Sequence, residues 1–364
     1  MKDFNDSPFL VIWEVTQACR LACIHCRASA QPCRHPLELT TSEGMQLLDS
    51  VMQFVNPLMV FTGGDPLERP DLFDLLRYSV NLGLRTTVTP SATPLLTLEA
   101  LEKFKDVGVA RIAISLDGPD AQSHDGFRRV PGSFEKSIFA LNEARRIGLQ
   151  TQVNTTITRH NHERLSEIAE LVETCGARLW SLFFLVSTGR ADVADDLTAE
   201  EYEDVFSFLY KLSLRAPFDI KTTEAQHYRR YVAQQRKQDR KTHPAKGFEM
   251  PTRLAGPDVI SRQAGINDGK GLVFISHTGE VFPSGFLPLS AGTVRKRSLV
   301  DIYRSSPLFL RLRDSSALKG KCGACEFRNL CGGSRSRAYA LTGDYLAEDP
   351  RCVYQPSRLM IAER

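Results

Sequence analysis

The sequence has no stretch of about 18 apolar residues, the least that a helix needs to cross a bilayer. Residues 1–8, MKDFNDSP, lack the apolar core of a secretory signal. Charge of one sign is scarce: 46 Lys and Arg against 43 Asp and Glu leave +3, too little to argue for nucleic acid. Low-complexity segments are absent. These absences predict a cytoplasmic chain with neither a membrane nor a nucleic acid among its partners. Composition is otherwise ordinary, 42% hydrophobic and 24% charged, which is enough for a core. The 364 residues allow one large domain and a smaller one. Cysteine is what the chain does have: nine without a secretory signal read as metal or redox chemistry in a reducing compartment, not as disulfides.

Three of the nine, Cys19, Cys23 and Cys26, fall in one short loop, EVTQACRLACIHCRA, just after an apolar run over residues 9–13. The spacing lets three thiolates converge on one face of a compact inorganic cluster. A cubane cluster has four irons, and cysteine thiolate is its usual protein ligand. Three ligands leave one iron open, as a catalytic zinc keeps an open position, and an open iron can take a small chelating molecule. A zinc loop is the plainer alternative. Zinc usually takes pairs of cysteines two to four residues apart, and it would need a fourth ligand from elsewhere.

Six apolar, β-rich runs precede residue 190, over residues 9–15, 58–62, 84–89, 109–116, 150–157 and 179–186. Stretches of helical period separate them, over 41–55, 71–82, 97–107, 133–147 and 163–174. Thr97 and Ser133 are the expected N-caps, and Gly83, Gly108, Gly148 and Gly176 the expected stops. Repeated strand–helix units predict parallel strands covered by helices, with the cysteine loop at the carboxyl end of the first strand, where α/β barrels keep their chemistry. Six units fall short of the eight of a closed barrel. After Arg190 the pattern changes. Residues 198–214 read as a helix, and 216–270 mix Pro, Gly and charge. The basic stretch 227–241 reads as a helix with a solvated face; contact with an anionic substrate is the alternative. Residues 271–275 and 281–282 flank a hairpin turn at 277–280.

A three-cysteine loop of this spacing after a first strand resembles the cluster motif of the radical S-adenosylmethionine (SAM) enzymes. The resemblance implies a [4Fe–4S] cluster on Cys19, Cys23 and Cys26, with SAM chelating the open iron through its amino and carboxylate groups. An electron, from a donor such as flavodoxin or ferredoxin, would break the sulfonium C–S bond, and the 5′-deoxyadenosyl radical would remove a hydrogen atom from the substrate. The fold implied is α/β: a partial (β/α)6 TIM-like barrel over residues 1–214, a helical or irregular linker over 215–270, and a small SPASM/twitch iron–sulfur domain over 271–364. Many members have an aromatic residue before the third cysteine. Here it is His25, for which covering or tuning the cluster and ordinary packing are the two readings.

Thr62-Gly63-Gly64-Asp65-Pro66 follows the second strand directly. Two glycines let the backbone approach a ligand, and Asp65 offers a carboxylate. The segment resembles the family's GGE/GGDP motif, which implies that Gly63, Gly64 and Asp65 hold the SAM amino group. Ser115 and Asp117, in ISLDG, point to one face at the end of the fourth strand. Ser115 is placed to bond the ribose or methionyl carboxylate of SAM, and Arg128 to pair with that carboxylate as a charged fork. Ser91 after strand three, together with Asn154 and Thr156 on strand five, could also reach the cofactor. Val186, where strand six ends in VSTGR, lies near the adenine by resemblance.

Cys322, Cys325, Cys331 and Cys352 form a second constellation, able to close a [4Fe–4S] cluster or a structural zinc site. The segments CEFRNLCGG, RAYALTGD and EDPRC resemble the SPASM/twitch module, which holds auxiliary clusters. Ser284 and Ser334 stand where relatives often have cysteine. One auxiliary cluster is therefore expected, with four protein ligands and no SAM. Cys33 and Cys175 have no partner at ligand spacing and receive no function; Cys175 reads as a buried small hydrophobe.

WEVTQAC, CIHCRASA, TGGDP, SLDG and the ending CGGSRSRAYALTGDYLAEDPRC resemble most the tetrapyrrole-modifying subgroup that contains a haem b synthase. The expectation is a radical SAM oxidoreductase or lyase that oxidatively decarboxylates, or otherwise modifies, tetrapyrrole side chains. One alternative is a maturase of a ribosomally made peptide, against which stand the mere eight or so residues before strand one, too few for a leader-binding domain. The other is a non-catalytic iron–sulfur or zinc protein, which would have no use for TGGDP.

Overall fold

Alternating side chains give the central sheet two unlike faces. In β1 (Leu10–Glu14), Val11 and Trp13 join the main core beneath the helices, whereas Leu10 and Ile12 pack on the other face with Leu58, Val60 and Leu272. The computed structural model describes residues 3–242, 265–357 and 359. Parallel to β1 run β2 (Leu58–Thr62), β3 (Arg85–Val88), β4 (Arg111–Ser115), β5 (Thr151–Ile157), β6 (Leu179–Phe184) and β7 (Asp219–Thr223), each paired with the strand before it. The first six are the strands that apolar runs predict. β7 falls in the stretch expected to be helical or irregular; its sequence DIKTT is polar and only half-buried, so no apolar run announces it.

Beyond β7 the chain returns to the first strand. β8 (Leu272–Ile275) lies parallel to β1, with Leu10 opposite Leu272 and Trp13 opposite Ile275. β9 (Glu280–Phe282) and β10 (Gly292–Thr293) then fold back antiparallel, as the hairpin signal predicts. The order is β10-β9-β8-β1-β2-β3-β4-β5-β6-β7, so the sheet stays open between its edge strands β10 and β7, and β7 does not pair with β8. Side chains bridge that seam instead. Gln226, just past β7, donates through Nε2 to Asn267 Oδ1, just before β8, at 2.9 Å. Part of the expected linker, residues 243–264, lies outside the described residues.

The helices on the outer face are α1 (Thr41–Val51), α2 (Leu72–Asn81), α3 (Leu98–Val107), α4 (Ala121–Arg128), α5 (Ser133–Arg146), α6 (Leu165–Thr174), α7 (Ala199–Ser213) and α8 (Tyr228–Thr242). Trp13 is fully buried and packs so close to α1 that a Cβ on Gly44 would sit 2.6 Å from its ring. Truncating such a residue to Ala typically costs about 3–5 kcal/mol. Thr97 caps α3 as expected, accepting from the Ala100 N–H, and Gly108 ends it at φ 91°. Ser133 is not the cap of α5: Gly132, at φ 82°, holds that position, and the Ser133 hydroxyl donates to Asp125. α8 is the helix expected over 227–241, but its face is not wholly solvated. Arg230 is buried against Glu203, while Lys237, Gln238 and Arg240 are exposed. α9 (Leu299–Ser305), α10 (Pro307–Arg313), α11 (Gly320–Ala324) and α12 (Arg335–Thr342) complete the C-terminal part. Among the described residues no helix is long and apolar enough to cross a membrane.

Candidate active site: an open cysteine loop and a closed cysteine cage

The loop after β1 is tied down from several sides. Glu14 binds Arg27 Nη2 at 2.7 Å and His277 Nδ1 at 2.8 Å. Burial pushes the Glu14 carboxyl up, but the charges and hydrogen bonds of Arg27 and His277 outweigh it and hold the group below its usual range. Cys19 N–H donates to Gln31 O at 2.8 Å, and Gln17 Nε2 to Ala28 O at 2.6 Å. From the end of β6, Arg190 donates to Cys23 O at 3.0 Å and to Ala30 O at 3.3 Å.

The sulfurs then meet donors. Cys19 Sγ accepts from Leu21 N–H at 3.3 Å, Cys26 Sγ from Ala30 N–H at 3.5 Å, and Cys23 Sγ from Arg128 Nη1 at 3.6 Å. Without a metal, burial pushes the Cys19 thiol up to about 11 and raises Cys23 as well. Donors aimed at sulfurs too buried to ionise alone are what a cationic cluster requires of its cage. His25 fits the same picture. Its ring stacks on Phe127 with centroids 4.2 Å apart, and Nδ1 is buried with no partner. Burial holds its pKa down at about 3, so the ring is neutral. The ring both packs and lines the cleft.

All three cysteines line one cleft of about 1000 Å³. Gly63, Gly64, Ser91, Ser115, Arg128, Asn154, Thr156 and Val186 line it too, so the structure brings these expected residues together. The glycines are there because the loop is close: a Cβ would lie 2.6 Å from Thr16 O at Gly63 and 2.3 Å from Ala18 O at Gly64. Asp65 and Asp117 do not line the cleft. Asp65 turns inward, accepting from Leu67 N–H at 3.1 Å, Ser91 N–H at 3.2 Å and Thr93 Oγ1 at 2.7 Å. Burial raises its pKa to about 6. Asp65 therefore shapes the turn that presents the glycines. Asp117 takes Nε of Arg128 at 2.7 Å, its Nη2 as well, and Thr156 N–H at 2.7 Å. The fork expected for a SAM carboxylate is spent on Asp117, leaving Nη1 toward Cys23. Burial pushes Asp117 up, but Arg128 outweighs it and keeps the carboxylate ionised. His124 Nδ1 accepts the Asp117 N–H, and burial lowers that imidazole to about 4.

Several lining residues escaped sequence reasoning. Arg27 sits beside the third cysteine, and Phe183 and Leu185 come from the end of β6. Phe286 comes from beyond β9, and only the β8–β1 pairing brings it here.

Cys322, Cys325, Cys331 and Cys352 line a second, smaller space of about 420 Å³ with Arg230 and Asp349. Cys322 Sγ accepts from Asp349 N–H at 3.4 Å and Arg335 Nη2 at 3.6 Å, Cys325 Sγ from Phe327 N–H at 3.4 Å, and Cys331 Sγ from Gly333 N–H at 3.3 Å. Burial raises all four thiols, Cys352 to about 11. Ser284 and Ser334 stand apart from this space, and both hydroxyls donate to Glu224, at 3.4 and 2.5 Å. Asp268 accepts from the Ser336 amide and hydroxyl, each at 2.8 Å. Burial, then repulsion from Asp268, raises Glu224 well above the ordinary range, which favours its neutral form. Cys33 is exposed, and Cys175 is buried in the main core.

A model of the radical SAM superfamily matches residues 13–175. An AdoMet-dependent heme synthase from Methanosarcina barkeri is 38% identical over 97% of this chain and 99% of its own length. The chain belongs to the radical SAM superfamily. A second AdoMet-dependent heme synthase, from Oleidesulfovibrio alaskensis, is 41% identical over 100% of the chain and 92% of itself. Among solved structures, Streptococcus suis SuiB bound to S-adenosylmethionine matches with a TM-score of 0.72, over 96% of this chain and 78% of that one, at 15% identity. That likeness shows a common fold, a partial barrel with a C-terminal domain. Membership in the radical SAM superfamily makes the protein an enzyme and implies a [4Fe–4S] cluster that binds SAM.

Proposed function

We propose that this radical SAM enzyme oxidatively removes side-chain carboxylates from a tetrapyrrole. Cys19, Cys23 and Cys26 hold the SAM-binding cluster; Cys322, Cys325, Cys331 and Cys352 hold one auxiliary [4Fe–4S] cluster. The observation that carries the reading is the identity of 38% and 41% to two heme synthases over nearly the whole chain, both cysteine sites included.

When bound and reduced, the first cluster and SAM supply a 5′-deoxyadenosyl radical that can take a hydrogen atom from an unactivated carbon. The chain supplies position and shape. Gly63 and Gly64 offer backbone at close range, and Ser91, Ser115 and Asn154 offer hydroxyl and amide groups. Arg128, fixed by Asp117, keeps one N–H toward Cys23. Phe183, Leu185 and Phe286 give the cleft an apolar wall suited to a flat macrocycle. Loss of CO2 from the substrate after hydrogen removal leaves one electron over, and a second cluster ligated wholly by protein is a place for it to go. An outside donor such as flavodoxin or ferredoxin provides the initial electron. Among the described residues no three Cys, His, Asp or Glu side chains close in on one point as a single metal ion requires.

The test is anaerobic incubation of the reconstituted enzyme with SAM, a reductant and iron-coproporphyrin. A porphyrin product short of one or more carboxylates, formed with 5′-deoxyadenosine, is expected. Porphyrin recovered with every propionate intact, while SAM is cleaved, overturns the reading.

A further inference from the structure

The inner face of the sheet carries charge that the cofactor cleft does not use. Strand register places Ser115, Asn154, Ser181 and Lys221 in one row across β4, β5, β6 and β7. Residues two apart on a strand share a face, so Arg111 lies on the face of Ser115, and Thr223 on that of Lys221. Ser115 and Asn154 from this row line the cleft. Lys221 stands three strand spacings away from Ser115, about 14 Å around the sheet. That span suits a flat macrocycle better than an amino acid.

Cations crowd this region. Arg111 and Arg229 both lie close enough to repel Lys221, and Arg85 repels Arg111. Among the described residues Asp219 is the carboxylate that faces Arg111, and none faces Lys221. Burial first, then these like charges, push Lys221 down to about 8 and Arg111 to about 10. Arg229 is already engaged elsewhere: Nη1 donates to Leu330 O at 3.4 Å, and its charge faces Cys331. Arg111 has Asp219, but Lys221 has no such outlet.

Two hydroxyls point the same way. Ser181 Oγ and Thr223 Oγ1 are buried without a hydrogen-bond partner, and Ser181 is 0% exposed. An orphan buried hydroxyl is costly, and a half-buried cation without counter-charge adds to that cost. A strand built only for stability would carry apolar residues at these positions. An anion beside Lys221 would supply the counter-charge that this lysine lacks and an acceptor for the orphan hydroxyls on its row and strand.

We propose that Lys221 and Arg111, with the hydroxyls of Ser181 and Thr223, form a carboxylate-binding subsite inside the barrel, which holds one acid side chain of the substrate while another is presented at the cofactor cleft. The subsite rests on the reading of a polycarboxylate substrate given above. The lysine contributes a mobile point charge, and the arginine a planar fork that matches a carboxylate.

Full-length Lys221→Met and Arg111→Met, with reconstituted clusters and wild-type iron content as the folding control, test it. Binding is read with two probes: iron-coproporphyrin by Soret titration, and glutarate by its effect on the melting temperature. Removing a half-buried charge that faces no carboxylate should raise the melting temperature of unliganded Lys221→Met. Its porphyrin affinity should fall about tenfold or more, and the glutarate effect should vanish. A merely structural lysine would give the opposite first result. Should the wild type bind both probes through Lys221 yet leave the porphyrin's carboxylates intact, the subsite stands and the proposed reaction falls. Should it decarboxylate the porphyrin while both variants bind as tightly as wild type, the subsite falls and the reaction stands. Failure of the wild type to bind either probe overturns both.

Discussion

The two cysteine sites use the same thiol, and each turns backbone amides and one guanidinium onto it, but they differ in the number of cysteines and in the space around them. The N-terminal loop brings three cysteines to the wall of a cleft of about 1000 Å³, with glycine backbone, hydroxyls and an apolar wall opposite. The C-terminal site puts four around a space of about 420 Å³, with backbone amides and the guanidinium of Arg335 turned onto the sulfurs. On the function proposed above, one sulfur fewer makes room for a cosubstrate and the full set shuts it out. On that reading, the number of side-chain ligands and the shape of the cavity, rather than the metal chemistry, separate a site that reacts from one that relays or braces.

The sharpest way to break this contrast is to remove one sulfur from each site. Cys23→Ala should reduce 5′-deoxyadenosine formation to background while the iron and sulfide of the C-terminal site remain. Cys331→Ala should do the reverse, with SAM still cleaved, carboxylate removal lost and iron reduced. If either variant loses both activities and all of its iron, the sites are not separable.

A smaller effect compares the arginines that touch the two sets of sulfurs. Arg128→Met leaves Asp117 buried and unpaired, a loss of about 3–5 kcal/mol. Arg335→Met leaves backbone carbonyls of Tyr345 and Ala347 without their donor, a loss of about 1–3 kcal/mol. Denaturant titration should rank them in that order; equal losses would mean that the Asp117 pair is not what braces the open site.

The smallest effect concerns the seam between β7 and β8. Because the folded pKa of Glu224 is raised, the stability that it contributes is fully present below the ordinary glutamate value and drains away as pH rises through the folded one. Glu224→Gln, which keeps a neutral group, should melt close to wild type at pH 4 and increasingly above it as pH rises to 9. A difference between the two proteins that does not change with pH would show that the fold does not hold Glu224 neutral.

Much of the frame was legible because strands one to six are apolar runs that end at chemically distinctive turns. The loop of Cys19, Cys23 and Cys26 and the turn at Gly63 and Gly64 were found this way, as were Ser91, Ser115 and Asn154. Side-chain direction was not legible. A carboxylate next to a glycine turn reads as a ligand, yet Asp65 folds back onto three donors, one in its own turn and two in the segment after β3, and Asp117 is consumed by Arg128. Nor could sequence reveal β7, whose residues are half-buried and polar, or the roles of Arg190 and Phe286, whose neighbours lie more than 100 residues away. Such contacts are products of topology, and no local pattern encodes them.

The pairing of β8 with β1 has a consequence for how the molecule is made. Leu10 finds Leu272 as its neighbour only after most of the chain exists. At about 5–20 residues per second, a ribosome needs roughly ten to fifty seconds to cover that distance. For that interval the first strand is a bare hydrogen-bonding edge on a half-made sheet, so a newborn chain depends on whatever shelters that edge until its late partner emerges.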